Sequence, residues 1–279
     1  MFLKLMYVTN DVFVAQTAEA SGVDRIFIDF EYIGKSERQC GLDTVMNHHT
    51  VADVVKIKEY LKKAELLVRV NPIHEASAEY GSSLDEINAV IHAGADIVML
   101  PYFKTVAEVR EFISCVDGRA KTMLLFETPE AVTRIDEILS VDGIDEVFIG
   151  LNDLSLGYGK GFMFELLADG TVDKLCNVFR AKGLPYGFGG IASLGKGLLP
   201  SEYVIQSHYK LGSSSAILSR SFCNLNRIEK KDEIESIFFN GVKEIREFEQ
   251  KCMSGRFDFE ESEVRMKEIV AQIVADMKE

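Results

Sequence analysis

Short apolar runs of four to six residues recur along this chain, separated by segments whose apolar positions repeat with a helical period. Leu3 to Val8, Arg25 to Phe30, Leu66 to Val70, Asp96 to Leu100, Met123 to Phe126 and Glu146 to Ile149 each predict a buried strand. Between them, helices are predicted from Val12 to a stop at Gly22, from Val51 to Lys63, from Leu84 to Ala93, from Thr105 to Val116 and from Glu130 to Ser140. After Gly150 a loop is expected through Gly157, Gly159 and Gly161, leading into a helical stretch that ends near Lys182. Pro185 to Gly190 and Ala216 to Leu218 complete the strands, so strand and helix alternate about eight times. That alternation predicts a (β/α)8 barrel, with a doubly wound sheet as the second choice. Residues 1–227 account for the barrel, and residues 228–279 predict two further amphipathic helices. One carries Ile234, Ile237, Phe238, Ile245 and Phe248, the other Met266, Ile269, Val270, Ile273, Val274 and Met277. Their apolar faces need cover, either from this barrel or from a second subunit, and a homo-oligomer is the expectation.

Composition narrows the partners. A net charge of −13 opposes a phosphate-backbone partner, so no nucleic acid is expected. No stretch reaches the roughly 18 apolar residues of a membrane span, and the first six residues are too short for a signal peptide, which predicts a cytosolic protein. The five cysteines lie far apart without a CxxC pair and read as core thiols.

Barrels carry their chemistry at the C-terminal ends of the strands. The polar residues there are Asp29 and Glu31 after the second strand, Arg69 at the end of the third, Glu127 after the fifth, and Asn152 and Asp153 just after Gly150. Glu127 and Asp153 emerge from neighbouring strands on one edge. Two converging carboxylates repel unless a cation or shared proton relieves them, which predicts a site for a hard divalent metal. An Arg beside such a metal suits a keto acid whose ketone oxygen gains charge as an enolate forms. Gly187-Phe188-Gly189-Gly190 and Gly212-Ser213-Ser214-Ser215 follow the last strands, where small residues either let a substrate approach the backbone or cradle a phosphate. Gly150, Gly189, Gly190 and Asn152 are accordingly substrate-binding candidates. The loop from Glu31 to Thr50 is longer than an ordinary βα connection, which suggests a larger or more polar acceptor such as a sugar aldehyde, and its Lys35, Arg38 and Gln39 are candidates to read a distal carboxylate or hydroxyl pattern of an aldehyde.

The stretches Leu67-Val68-Arg69-Val70-Asn71-Pro72, Gly94 to Pro101, Leu125-Phe126-Glu127-Thr128-Pro129 and Val147 to Ser155, in that order, resemble the HpcH/HpaI aldolase and citrate lyase family across about residues 5 to 220. The resemblance implies the phosphoenolpyruvate/pyruvate type of barrel, with Mg²⁺, Mn²⁺ or a similar ion such as Co²⁺ on Glu127 and Asp153. It further implies Arg69 on a pyruvate-like keto acid and a trimer or hexamer in solution. One departure falls where protons move. The pyruvate aldolases have a His after the second acid of strand two, whereas this chain reads Asp29-Phe30-Glu31-Tyr32. The general acid/base is therefore open among Glu31, Tyr32, His48 and His49. The expected activity is a metal-dependent aldolase joining or cleaving a pyruvate-type enolate and an aldehyde. A malyl- or citryl-CoA type lyase is the first alternative, and a metal-binding barrel that has lost catalysis is the second.

Overall fold

The computed structural model describes residues 1–34, 49–225, 227–228 and 230–277. Eight parallel strands, β1 (Lys4–Val8), β2 (Arg25–Asp29), β3 (Glu65–Arg69), β4 (Ile97–Leu100), β5 (Lys121–Phe126), β6 (Glu146–Ile149), β7 (Tyr186–Ile191) and β8 (Ser215–Leu218), close in sequence order into a barrel. Closure is the pairing of β8 back onto β1. Helices alternate with the strands outside it, as the periodicity predicts.

Each strand is buried on both faces, which is why it reads as a continuous apolar run. The period of two then divides its residues. Met6, Phe27, Leu67, Met99, Met123, Leu125 and Phe148 fill the barrel interior, while Ile26, Ile28, Leu66, Val68, Leu124, Phe126, Val147 and Ile149 pack outward under the helices. One step below the interior layer lies an ion-pair plug. Arg25, with no exposed surface, forks onto Glu146 at 2.8 and 2.6 Å and reaches Glu65 at 2.9 Å, and Lys121 meets Glu65 at 2.6 Å. One step above it lie Asp29, Arg69, Glu127 and Gly150, so strand periodicity delivers the chemistry to the opposite end.

The helix Lys231–Met253 packs against the helices Val12–Ser21 and Ser201–Leu211 and is the last element of the barrel's outer ring. Phe238 sits edge-on to Tyr7 at 4.9 Å. The buried Glu249 accepts the Leu3 N–H at 2.8 Å and the Tyr209 hydroxyl at 3.0 Å and pairs with Arg246 at 2.8 Å. A single further helix, Phe259–Asp276, lies on Ser201–Leu211 and Glu165–Ala168. The apolar faces bearing Phe238, Ile245, Met266 and Val270 are thus covered by this chain's own barrel. Among the described residues no helix is long and apolar enough to cross a membrane.

Three stretches differ from the periodic reading, one of them the helix Ser201–Leu211, where no element is predicted. The expected loop after Gly150 opens as a helix, Leu151–Gly157, and the expected continuous helix after Pro129 is two short ones, Pro129–Thr133 and Ile135–Ile138, broken at Arg134.

Candidate active site

Adjacent strands in register bring the site together. Asp29 lies level with Arg69 in the β2–β3 pairing, and their side chains form a two-pronged ion pair, Nε to Oδ1 and Nη2 to Oδ2, both 2.8 Å. Nη1 of Arg69 meets the Oε2 of fully buried Glu31 at 3.0 Å. The guanidinium lies 5.6 Å from the centre of the Phe27 ring. Burial alone would lower the pKa of Arg69, but Asp29 and Glu31 more than offset this and hold it well above the ordinary value.

β5 and β6 build the other side. Phe126 is level with Ile149, so the next residues, Glu127 and Gly150, face each other as the strands end. A Cβ on residue 150 would lie 2.6 Å from Oε2 of Glu127, so only glycine leaves room for that carboxylate. Thr128 caps the following short helix, with Pro129 at its first position, which fixes where β5 stops. Tyr102, in the left-handed region at φ 48°, turns its backbone N–H onto Oε1 of Glu127 at 2.9 Å. Asp153 enters in the first turn of the helix Leu151–Gly157, where free N–H groups favour a carboxylate. The pKa of Glu127 is raised well above the usual range, first by burial and then by the nearby charges of Glu31 and Asp153.

These groups line a cavity of about 440 Å³ at the C-terminal mouth of the barrel. Asp29, Arg69, Glu127, Gly150, Asn152, Asp153, Gly189 and Gly190 all contribute to its wall, above an apolar floor of Phe27, Met99, Leu125 and Phe148. Three of the other expected site residues do not line it. Glu31 lies behind Arg69. The Tyr32 side chain is 41% exposed and has its pKa raised by burial and by Glu86 and Tyr80, residues outside the cavity wall. His49 stands behind β2, where Nδ1 accepts the Asp29 backbone N–H at 3.0 Å, and burial lowers its pKa. His48, Lys35, Arg38 and Gln39 lie outside the described residues.

Several residues that the strand-end rule passed over belong to the site. Tyr7 and Cys223 line the cavity, joined by the Tyr7 hydroxyl donating to the Cys223 carbonyl at 3.0 Å. Asn71 organises the chain after β2. Its Oδ1 accepts the N–H groups of Tyr32 and Ile33, each at 3.0 Å, and its Nδ2 donates to Glu86 at 2.8 Å. Ser219, Arg220 and Asn224 line the wall beyond β8. The same rule applied to the eighth strand would have found Arg220, two residues past Leu218.

The donor set suits a hard divalent cation. Among the described residues no group of three or more His, Cys, Asp and Glu side chains is arranged for a metal. Mg²⁺ is nonetheless commonly held by one or two carboxylates, with substrate oxygens and water completing its shell. Two carboxylates, Glu127 and Asp153, close enough to raise the Glu127 pKa, and a glycine that keeps the Glu127 carboxylate unobstructed fit that requirement.

Comparison with known proteins bears on the family and the fold. A hydroxypyruvate/pyruvate aldolase from Rhizorhabdus wittichii is 62% identical over 37 residues, 13% of this chain and 15% of that protein. Another from Sagittula stellata is 28% identical over 26% of this chain and 41% of that protein. The matched stretches thus span less than half of either relative. The crystal structure of an HpcH/HpaI aldolase from Desulfitobacterium hafniense superposes with a TM-score of 0.56 at 19% identity, covering 88% of this chain and 93% of the other. The citrate synthase SbnG gives 0.57 at 16% identity, over 87% and 92%. At such identities the two structures establish a common fold. Residues 5–161 match the model of the HpcH/HpaI aldolase/citrate lyase family, and with more than half of its length so matched the chain belongs to that family.

Proposed function

We propose that this protein is a divalent-metal-dependent carbon–carbon lyase that forms or cleaves the bond between a pyruvate-type enolate and an aldehyde. One observation carries the reading: Glu127 and Asp153 are buried together on the cavity that also holds Arg69, with a mutual repulsion that a bound cation would relieve. Glu127 and Asp153 would hold Mg²⁺, Mn²⁺ or Co²⁺, which supplies Lewis acidity toward the oxygens of a keto acid. Arg69 supplies the fixed positive charge. Its plane is set by Asp29 and Glu31, and its remaining N–H groups are positioned to donate to the substrate as negative charge develops on the ketone oxygen. Phe27, Met99, Leu125 and Phe148 keep water from beneath the reacting carbon. Gly150, Gly189 and Gly190 let the keto acid approach the backbone, with Asn152 beside it. Of the candidates on and after strand two, Asp29 lines the cavity, and His49, a candidate proton carrier, stands directly behind its backbone. The relatives' name, hydroxypyruvate/pyruvate aldolase, supports a keto-acid donor of this size. The reading includes a cytosolic homo-oligomer, trimeric or hexameric, without nucleic-acid or membrane partners.

The test is exchange of the pyruvate methyl protons in D₂O, followed by NMR with and without Mg²⁺, Mn²⁺ or Co²⁺, for the wild type, Glu127→Ala and Arg69→Ala. Exchange that needs the metal and both side chains is expected. Exchange that persists without metal, or absence of exchange with every metal, refutes the proposal.

A further inference from the structure

We infer that a second cavity, among the outer helices, binds a zwitterionic α-amino acid with an apolar side chain. The cavity, about 380 Å³, lies where the helix Phe259–Asp276 meets the helices Thr171–Ala181 and Ser201–Leu211. That volume is within the range of small-molecule sites. None of its lining residues belongs to the cavity at the mouth of the barrel. Gln206 sets the chemistry. It is 7% exposed, lines this second cavity, and its side chain has no hydrogen-bond partner among the described residues. A buried amide left without a partner is costly, so its presence on a cavity wall calls for an occupant that satisfies it.

An amide side chain offers N–H donors and an acceptor oxygen side by side, so its ligand must carry the opposite pair. The charges on the wall are divided in the same sense. Asp173, on the helix Thr171–Ala181, accepts from Asn177 of its own helix at 3.3 Å and meets no cation among the described residues. The other two helices bring ammonium groups. Lys210 pairs with Glu260 at 2.9 Å and with Glu263, and Lys267 pairs with Glu263 at 2.5 Å. An ammonium group has three N–H donors, so Lys210 keeps one beyond its two carboxylates. Leu167, Leu211, Phe259 and Met266 add apolar surface. An α-amino acid answers each feature. Its ammonium suits Asp173 and the Gln206 oxygen, its carboxylate suits Lys210 and the Gln206 N–H groups, and its side chain suits the apolar wall. A phosphate monoester would bring extra negative charge beside Asp173, Glu260 and Glu263, and a plain hydrocarbon would leave Gln206 unpaired.

The experiment is calorimetric titration of the full chain with L-leucine, L-methionine and L-phenylalanine. Each is compared with analogues that lack one charge; for leucine these are 4-methylpentanoate and 3-methylbutylamine. At least one of the three amino acids is expected to bind saturably, and about tenfold or more tighter than either of its analogues, the size of one charge-assisted hydrogen bond. Gln206→Leu is expected to weaken binding by a similar factor while melting, without ligand, at or above the wild-type temperature, since an apolar side chain replaces an unpaired amide. Arg69→Ala, in the other cavity, is expected to bind as the wild type does. If Gln206→Leu melts well below the wild type, Asp173→Asn at the exposed wall decides in its place, and unweakened binding there overturns the inference. Absence of saturable binding by all three amino acids shows a cavity filled by water alone and also overturns it. So do analogues that bind equally well, Gln206→Leu that melts as expected and binds as the wild type does, or binding lost in Arg69→Ala.

Discussion

Replacing Glu127 with Gln separates the two consequences of a buried carboxylate pair, because it is expected to stabilise the metal-free protein while removing its response to metal. Glu127 is 4% exposed and its carboxyl pKa is raised by burial, Glu31 and Asp153. A raised pKa means that the folded state holds this proton more tightly than the unfolded chain does. Stability is then lost as pH rises from the unfolded value of about 4.3 toward the folded one, at about 1.4 kcal/mol per pH unit. Gln has the same shape, carries no charge at any pH, and its oxygen still accepts the Tyr102 N–H that Glu127 accepts at 2.9 Å. In the presence of a chelator Glu127→Gln should therefore melt above the wild type at neutral pH, with the difference shrinking toward about pH 5. Adding Mg²⁺ or Mn²⁺ reverses the order. A ligand at a hundred times its Kd adds about 2.7 kcal/mol, or roughly 5 °C or more in Tm for a chain of this size. That gain belongs to the wild type and grows with pH, since the proton must leave before the cation binds. Scanning fluorimetry across this pH range, with chelator or with metal, reads both effects. A Glu127→Gln variant that melts lower without metal and keeps the full metal shift would remove Glu127 from the site.

Gly150→Ala places a methyl group 2.6 Å from Oε2 and 2.7 Å from Cβ of Glu127, so that side chain must turn away. Calorimetric titration with Mn²⁺ should show affinity weakened roughly 10- to 100-fold, and the melt should fall by about 1–3 kcal/mol. Glu146→Ala leaves Arg25, which has no exposed surface, with Glu65 at 2.9 Å as its remaining carboxylate partner among the described residues. Urea unfolding should register a loss of about 3–5 kcal/mol, and a loss under about 1 kcal/mol would show that the plug is dispensable. Asn71→Ala removes the acceptor shared by the Tyr32 and Ile33 N–H groups and the donor to Glu86, whose pKa burial already raises. Hydrogen exchange at Tyr32 and Ile33 should accelerate, at a stability cost of about 1–3 kcal/mol, and unchanged protection would contradict the role given to Asn71.

The barrel was legible because its strands are two-faced apolar runs with polar residues at or shortly beyond their ends: Arg69 closes β3, Glu127 follows β5 directly and Asp153 lies four residues past β6. Other parts were hidden for identifiable reasons. The helix Ser201–Leu211 was not predicted because its inward face carries Gln206 and His208 beside Val204 and Ile205. His208 is fully buried, stacked on Phe188 at 3.8 Å, with its pKa pushed down to about 3, so a residue that reads as polar behaves as core. The helix Leu151–Gly157 was read as loop because glycines flank it. Gly157 is there for contact, since a Cβ would meet Pro129 Cδ at 2.6 Å. Asn71 accepts backbone N–H groups of another segment and Tyr102 offers its own backbone N–H to a distant side chain, and linear spacing carries no trace of such partnerships.

The two ends of the barrel also show why strand-end charge alone is a weak signal and its balance a stronger one. The same ingredients, an arginine forked onto carboxylates of neighbouring strands, occur at both. At the N-terminal end Arg25 and Lys121 face Glu65 and Glu146, and the charges cancel. Such a plug contributes stability and asks for no ligand. At the C-terminal end Arg69 faces Asp29 and Glu31 while Glu127 and Asp153 stand close by, so among the described residues carboxylates outnumber the guanidinium groups that line or back the cavity. Crowding buried carboxylates is costly, and folding alone gives no reason to gather them. That crowding is the feature on which the proposed cation site rests, and it sets this end of the barrel apart from the other, where the same residue types form a balanced plug.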